Sequence, residues 1–148
     1  MPVAEINGQC LCGAVRFALA PPTLFFAHCH CQWCREAHGA AFVSWVGAAL
    51  ERFRLLPGSA EPRWYQSSAQ SRRGFCADCG TTLFFASALC PGEMHVVRTA
   101  IAGPIDRAPD CHVFYDQRVD WVEPGDALPR YTADHPGLAK YRAVHRQR

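Results

Sequence analysis

Hydrophobic and polar residues alternate along much of the chain in short runs with a period of two, which is typical of half-buried β-strands. In residues 14–19, Val15, Phe17 and Leu19 alternate with smaller or polar neighbours. Similar runs follow at residues 23–29, 41–46, 52–56, 63–66, 81–85, 94–99 and 111–115. Pairs of proline and glycine residues separate several of these runs and indicate turns. The pattern predicts a mostly β domain of antiparallel strands.

Two further regions depart from the strand pattern. One short helix is predicted at residues 32–38, directly after a group of central cysteines. From Trp121 onward, five proline and glycine residues interrupt any regular element. We therefore expect one domain over residues 1–131, followed by a mobile tail over residues 132–148.

Length and charge narrow the class of protein. A chain of 148 residues is the usual size of one domain, and its net charge of +2 does not favour a nucleic-acid or membrane partner. The first residues lack the basic and apolar regions of a signal peptide. The longest nearly apolar run, residues 39–50, is too short to cross a bilayer. We therefore expect a cytoplasmic protein.

Nine cysteines are many for such a chain, and in a reducing compartment they favour metal binding over disulfides. Four of them form two knuckles, each a cysteine pair followed by a glycine that can accept a positive φ. Zinc binds four thiolate or imidazole ligands in a tetrahedral structural site. The spacing predicts that one structural zinc ion joins two distant hairpins through Cys10, Cys12, Cys76 and Cys79.

A second cysteine group, Cys29, Cys31 and Cys34, has a CxCxxC spacing. Cys29 and Cys31 share one face of a strand and Cys34 lies on the following turn, so the three sulfurs can converge on one metal ion. Three protein ligands leave one coordination position open, which is the arrangement of catalytic zinc. A soft thiol substrate suits that open position.

Other interpretations of this group remain open. His38 lies four residues after Cys34 on the same helix face and could close the shell as a second structural site. On a strand, His28 and His30 would point away from the sulfurs and are poorer ligands. The three cysteines could also be reduced thiols that hold no metal.

The cysteine-containing segments resemble the glutathione-dependent formaldehyde-activating enzyme and centromere protein V family. The resemblance covers about residues 5–131. It implies a β-tent of stacked antiparallel sheets held by zinc. The matching segments are residues 8–17, residues 28–35 with Gly39, residues 73–83 and, more weakly, residues 112–121.

The resemblance also implies roles for the cysteines. Cys10, Cys12, Cys76 and Cys79 fall on the family's structural zinc ligands, and Cys29, Cys31 and Cys34 fall on its second, catalytic zinc. The activity for which the family is named joins glutathione and formaldehyde into S-hydroxymethylglutathione. We therefore expect a zinc-dependent carbon–sulfur lyase that acts on a thiol–aldehyde adduct. The alternative is a non-catalytic, zinc-stabilised module that binds a glutathione-like thiol or a protein.

Glutathione as the small-molecule partner would require cations, because it carries two carboxylates. Arg35 follows the central cysteines and Arg73 precedes the second knuckle. Their guanidinium groups suit carboxylates, so both are candidate substrate-binding residues. The alternative for each arginine is a solvated surface position.

Overall fold

The computed structural model describes residues 4–145, which contain ten β-strands, one α-helix and four one-turn 3-10 helices. The strands are β1 (Ile6–Gln9), β2 (Arg16–Leu19), β3 (Phe25–Cys29), β4 (Val43–Ala49), β5 (Phe53–Leu55), β6 (Arg63–Gln66), β7 (Ser71–Phe75), β8 (Thr82–Ser87), β9 (Glu93–Val97) and β10 (Cys111–Val113). The α-helix is α1 (Gln32–His38), and the 3-10 turns are Leu50–Arg52, Arg98–Ala100, Tyr115–Gln117 and Pro136–Leu138.

The strands form two sheets. The smaller has the order β1-β2-β5, and the larger has the order β10-β3-β4-β9-β8-β7-β6. Neighbours pair antiparallel, except that β10 runs parallel to β3. The predicted mostly β class with one short helix is therefore confirmed. No helix within residues 4–145 has both the length and the apolar character needed to span a lipid bilayer.

Eight strands coincide with predicted runs, whereas β1 and β7 were not predicted. β7 contains Arg72 and Arg73, and β1 carries one large apolar residue, Ile6. Neither therefore has the alternation that marks a half-buried strand. β1 pairs where Gly8 leaves room for a neighbouring ring, since a Cβ at Gly8 would lie 2.2 Å from Cζ of Phe17.

An aromatic cluster joins the two sheets. Phe17 of β2 and Phe53 of β5 both meet Phe84 of β8 edge-to-face, with ring centroids 5.2 Å apart in each pair. Phe17 and Phe84 are fully buried. Such edge-to-face pairs contribute about 0.5–1.5 kcal/mol each beyond the area that they bury. The small sheet therefore packs on β8, the strand of the larger sheet that follows the second cysteine knuckle.

The segment 132–145 differs from the mobile tail expected for residues 132–148. Leu138, Val144 and His145 are buried, and Tyr141 packs against the core. The apolar residues Leu138, Tyr141 and Val144 recur every three positions, which places them on one side of successive turns. Residues 146–148 lie outside the described part of the chain.

A buried carboxylate attaches this segment to β9. Glu93 receives hydrogen bonds from Nζ of Lys140 at 2.6 Å and from the hydroxyl of Tyr141 at 2.8 Å. Nε2 of His95 lies 3.0 Å from the same carboxylate. Burial opposes ionisation of Glu93, but the hydrogen bonds from His95, Lys140 and Tyr141 lower its pKa to about 2. The ionised group therefore stabilises the folded state at neutral pH.

We predict that Glu93→Gln lowers the free energy of unfolding at pH 7 by about 2–3 kcal/mol. The lowered pKa corresponds to about 3.5 kcal/mol at about 1.4 kcal/mol per unit, and the glutamine amide oxygen keeps part of the hydrogen bonding. The native pKa lies below the ordinary value of 4.5. The stabilisation is therefore present above that pH and is lost as the pH falls through about 2. Urea unfolding of the zinc-loaded protein measures it.

The matched control is Glu5→Gln, which removes the exposed Glu5–Arg54 ion pair of 3.0 Å. Such pairs contribute about 0–1 kcal/mol, so this variant should stay close to the unmodified protein. Equal destabilisation by both substitutions would contradict the role assigned to Glu93.

Candidate metal centres

The first cysteine cluster brings four sulfurs together from two distant segments. The Cys10 and Cys12 sulfurs are 3.6 Å apart, those of Cys12 and Cys76 are 3.8 Å apart, and all four ligand atoms, including that of Cys79, lie within 4.8 Å of one another. Sulfurs bound tetrahedrally to zinc at about 2.3 Å are separated by about 3.8 Å. The cluster therefore has the donor set and dimensions that fit one zinc ion.

Each knuckle is a tight turn that ends in a left-handed glycine, as the spacing predicts. Gly13 has φ +80° and Gly80 has φ +78°. The amide of Gly13 donates to the carbonyl of Cys10 at 3.1 Å, and the amide of Gly80 donates to that of Cys76 at 2.8 Å. A side chain at either glycine would strain the turn. The backbone thus fixes the direction of each pair of sulfurs.

Thr81 connects the two knuckles directly. Its hydroxyl oxygen accepts a hydrogen bond from the amide of Leu11 at 3.0 Å and lies 3.1 Å from the sulfur of Cys79. Hydrogen bonds from the side chain and the backbone of Thr81 lower the pKa of Cys79 to about 5. A thiolate is the form in which cysteine binds a metal. The contacts of Thr81 therefore prepare Cys79 for coordination.

The second cluster contains the three central cysteines and one distant histidine. Cys29 ends β3, Cys31 caps the N-terminus of α1, and Cys34 lies in its first turn. Nδ1 of His145 is 3.5, 3.2 and 3.4 Å from the sulfurs of Cys29, Cys31 and Cys34, respectively. All four residues are buried. Three sulfurs and one imidazole are a zinc donor set.

His145 therefore takes the position that the sequence left open or offered to His38. The ring of His38 instead meets Trp45 edge-to-face at 5.1 Å, and its Nε2 has no hydrogen-bond partner within the described residues. With four protein donors, the shell has the composition of a closed zinc site. The expectation of three protein ligands and one vacant position differs from this geometry.

No local motif marks His145 as a ligand, because it lies 114 residues after Cys31. The available signal is indirect: the repeat of Leu138, Tyr141 and Val144 indicates that the segment packs. A histidine at the end of a packed segment is a better ligand candidate than one in a mobile tail.

Burial and the neighbouring donor groups shift the pKa values of three residues in the second cluster. Burial opposes ionisation of Cys34, but sulfur contacts with Cys29 and Cys31 and the ring of His145 lower its pKa well below the ordinary value. Burial raises the pKa of Cys29 well above it. The pKa of His145 rises to about 10, because the charges of Cys31 and Cys34 outweigh its burial. A bound metal ion would replace these protons, so metal binding releases them.

Arg73 lies against the same cluster. Its guanidinium Nη2 is 3.6 Å from the sulfur of Cys34, and the group stacks over Phe85 at 5.0 Å from the ring centroid. The residue is 5% exposed, and its Nη1 has no partner among the described residues. Three thiolates, one imidazole and one zinc ion carry a net charge of −1, which this guanidinium offsets. Its position explains how such a centre can be buried.

Arg35, the other candidate arginine, contacts the loop between the ligands. Its Nε donates to the carbonyl of His30 at 3.0 Å. Because His30 stands between Cys29 and Cys31, this bond fixes the backbone that presents both sulfurs. The structure thus brings Arg73 to the Cys34 sulfur and Arg35 to the backbone beside the cluster.

The neighbouring histidines turn away from the sulfurs. Nε2 of His30 is 2.8 Å from Nδ1 of His112, whose Nε2 lies 3.0 Å from a carboxylate oxygen of Asp126. His28 Nδ1 is 2.7 Å from the hydroxyl of Ser44. Burial and the charge of His112 lower the pKa of His30 to about 4, so it is neutral at pH 7. These contacts hold the strand end that carries Cys29.

A third group, Cys90, Glu93 and His95, also has ligand atoms within 4.8 Å of one another. Its carboxylate already accepts hydrogen bonds from Lys140 and Tyr141. Burial raises the pKa of Cys90 to about 11, which keeps it a thiol. The contacts of Glu93 therefore make this group part of the hydrogen-bond network that attaches the segment 132–145 to β9.

Two cavities lie near the second cluster. One of about 310 Å³ reaches the ligands Cys29 and His145 and is walled by Phe25, Trp45 and Phe114. The other, of about 480 Å³, has Arg73 among its lining residues and none of the four donor residues.

The family described as glutathione-dependent formaldehyde-activating enzyme matches residues 5–117. This range holds both knuckles and the central cysteines, so the chain belongs to that family. His145 lies beyond the matched range.

Curated relatives agree with the family. The chain is 27% identical over 125 residues, 80% of each sequence, to a protein of Halomonas elongata whose name assigns it provisionally to the glutathione-dependent formaldehyde-activating enzymes. It is 25% identical over 130 residues to an uncharacterised lyase of Schizosaccharomyces pombe, covering 88% of this chain and 93% of the relative. These relatives support an enzyme with lyase-type activity.

A solved structure supports the fold. A Rhodobacter sphaeroides protein superposes with a TM-score of 0.53 at 23% identity, covering 85% of this chain and 99% of that chain. At this level of identity the likeness concerns the fold alone.

We predict that the purified protein holds two zinc ions per chain and that Cys31→Ser holds one. Serine keeps the helix cap of Cys31 but removes a thiolate. Cys111→Ser is the control, because Cys111 lies outside both four-residue clusters and should leave two ions. Elemental analysis after gel filtration gives the metal content, and circular dichroism checks folding. Equal zinc in Cys31→Ser and Cys111→Ser would contradict the second centre.

Proposed function

We propose that this protein is a zinc-dependent enzyme of the carbon–sulfur lyase type that forms or cleaves a thiol–aldehyde adduct at the second cluster. One observation carries the proposal: the buried donors Cys29, Cys31, Cys34 and His145 converge beside a cavity that reaches two of them. Family membership and the lyase relative support the same reaction class.

The first cluster has a different role in this proposal. Cys10, Cys12, Cys76 and Cys79 would hold a structural zinc ion, since all four ligands are thiolates and none is a neutral imidazole that a substrate thiol could replace. The turns that carry them precede β2 and β8. The ion would therefore fasten the small sheet to the large one and do no chemistry.

At the second cluster, the three cysteines and His145 would hold a zinc ion, which when bound favours the thiolate form of a coordinated thiol and polarises a carbonyl. The reaction balances without an oxidant: the sulfur–carbon bond forms, the carbonyl π bond breaks, and the thiol proton ends on the oxygen. Arg73 offsets the charge of the thiolates through Cys34. The apolar walls of the cavity exclude water from the adduct.

A second candidate is a zinc-stabilised module without catalysis. It is favoured by His145, because a fourth protein donor gives the cluster the composition of a closed structural site. Under this proposal the cavity beside Cys29 would bind a small molecule or a protein side chain without converting it.

The test is NMR exchange spectroscopy on free aldehyde, free thiol and their adduct. We expect the zinc-loaded protein to accelerate exchange for at least one thiol–aldehyde pair, with glutathione and 2-phenylethanethiol tested in parallel. Cys31→Ser should return the rate to the spontaneous value. Cys90→Ser, which removes a thiol outside both candidate centres, is the control and should keep the acceleration.

Exchange at the spontaneous rate with both thiols, in protein that holds two zinc ions, would overturn the enzymatic proposal. The non-catalytic module would then be the better description.

A further inference from the structure

The 310 Å³ cavity beside the second cluster indicates which thiol the centre takes. β3, β4, β9 and β10 all contribute to its lining, and the segment 132–145 closes it. Cys29 and His145 connect it to the donor atoms of the cluster. A ligand in this cavity therefore lies directly against two of the proposed metal ligands.

The lining is predominantly apolar. Phe25, Trp45, Val113 and Phe114 supply aromatic and aliphatic surface, and Leu138 closes it from the segment 132–145. Small-molecule sites of this kind gain affinity from buried apolar area and use a few polar groups for orientation. The surface suits a hydrocarbon group.

Within residues 4–145, the cavity lining offers little positive charge to a ligand. Among the described residues, its lining includes one lysine and no arginine, and Nζ of that residue, Lys140, lies 2.6 Å from Glu93. His95, also in the lining, faces the same carboxylate at 3.0 Å. Both groups are therefore engaged with Glu93. A thiol that carries two carboxylates would lose their hydration without gaining ion pairs.

The candidate arginines Arg35 and Arg73 do not add positive charge to the lining of this cavity. Arg73 belongs to the lining of the other cavity, and its guanidinium contacts the Cys34 sulfur. Arg35 bonds to the carbonyl of His30. Neither residue is among those that line the cavity at Cys29 and His145.

We propose that this cavity binds an uncharged, apolar thiol, and that its sulfur takes the coordination position of His145 Nδ1. The sulfur–hydrogen bond breaks, its proton goes to solvent, and the thiolate replaces one nitrogen ligand, with no change of oxidation state. The proposal rests on the thiol chemistry of the proposed function and specifies its substrate class. Glutathione, with two carboxylates, fits this cavity poorly.

Titration of cobalt(II)-loaded protein under anaerobic conditions tests the proposal, because a fourth thiolate on cobalt adds sulfur-to-metal charge-transfer absorbance. The probes are 2-phenylethanethiol and glutathione. We expect 2-phenylethanethiol to bind at least tenfold more tightly than glutathione. Equal affinity, tighter binding of glutathione, or no spectral change with either thiol would overturn the proposal.

A pair of leucine variants tests the charge argument. Leu24 lines the cavity and is 47% exposed, so Leu24→Arg adds a cation without burying it. Leu50 is 50% exposed and does not line the cavity, which makes Leu50→Arg the matched control. We expect Leu24→Arg to reduce the preference for 2-phenylethanethiol by about threefold, which corresponds to one exposed ion pair. An equal change in both variants would contradict the assigned cavity.

The two proposals fail separately. If 2-phenylethanethiol binds preferentially but exchange spectroscopy shows no acceleration, the cavity assignment holds and the enzymatic function falls. If exchange is accelerated with glutathione, and glutathione binds as tightly as the apolar thiol, the function holds and the substrate class is overturned.

Discussion

The structure depends on bringing cysteine and histidine side chains from distant parts of the chain together in two clusters. Cys12 meets Cys76 across 64 residues, and Cys31 meets His145 across 114 residues. The second cluster is not stable as bare thiolates, because all four of its donor residues are buried and each ionised sulfur there loses its hydration. A bound zinc ion would offset that cost, and its binding free energy, about 10–16 kcal/mol for structural zinc in small peptides, would contribute to folding. The two sheets and their aromatic contacts position the sulfurs.

The second centre adds a requirement that the first does not have. Its fourth donor arrives on a segment that is attached to β9 through Glu93 and whose apolar residues cover the cavity. The same segment therefore completes the four-donor cluster and lines the cavity beside it. The guanidinium of Arg73 contacts the Cys34 sulfur and offsets the negative charge of the thiolates. The donor cluster, the cavity and the cation that offsets the thiolate charge therefore lie next to one another in the fold.

The sequence predicts the features that depend on neighbouring residues and misses those that depend on tertiary packing. The knuckle turns and the helix at residues 32–38 depend on neighbours within a few positions, and both are found. β7 pairs through its backbone although two arginines obscure its pattern, so only its partner strands define it. His145 reaches the cluster through tertiary packing, which no spacing rule encodes. The proline and glycine residues before it favour a mobile tail, whereas Leu138 and Val144 are buried in the structure.

The position of His145 along the chain has a consequence for how the protein is made. A growing chain folds from its N-terminal side, so all four sulfurs of the first cluster are available once residue 79 has been synthesised. The second shell lacks its imidazole until residue 145 follows. During that interval Cys29, Cys31 and Cys34 would offer three sulfurs without their fourth donor. The order of synthesis would thus allow the first cluster to bind its metal ion before the second cluster is complete.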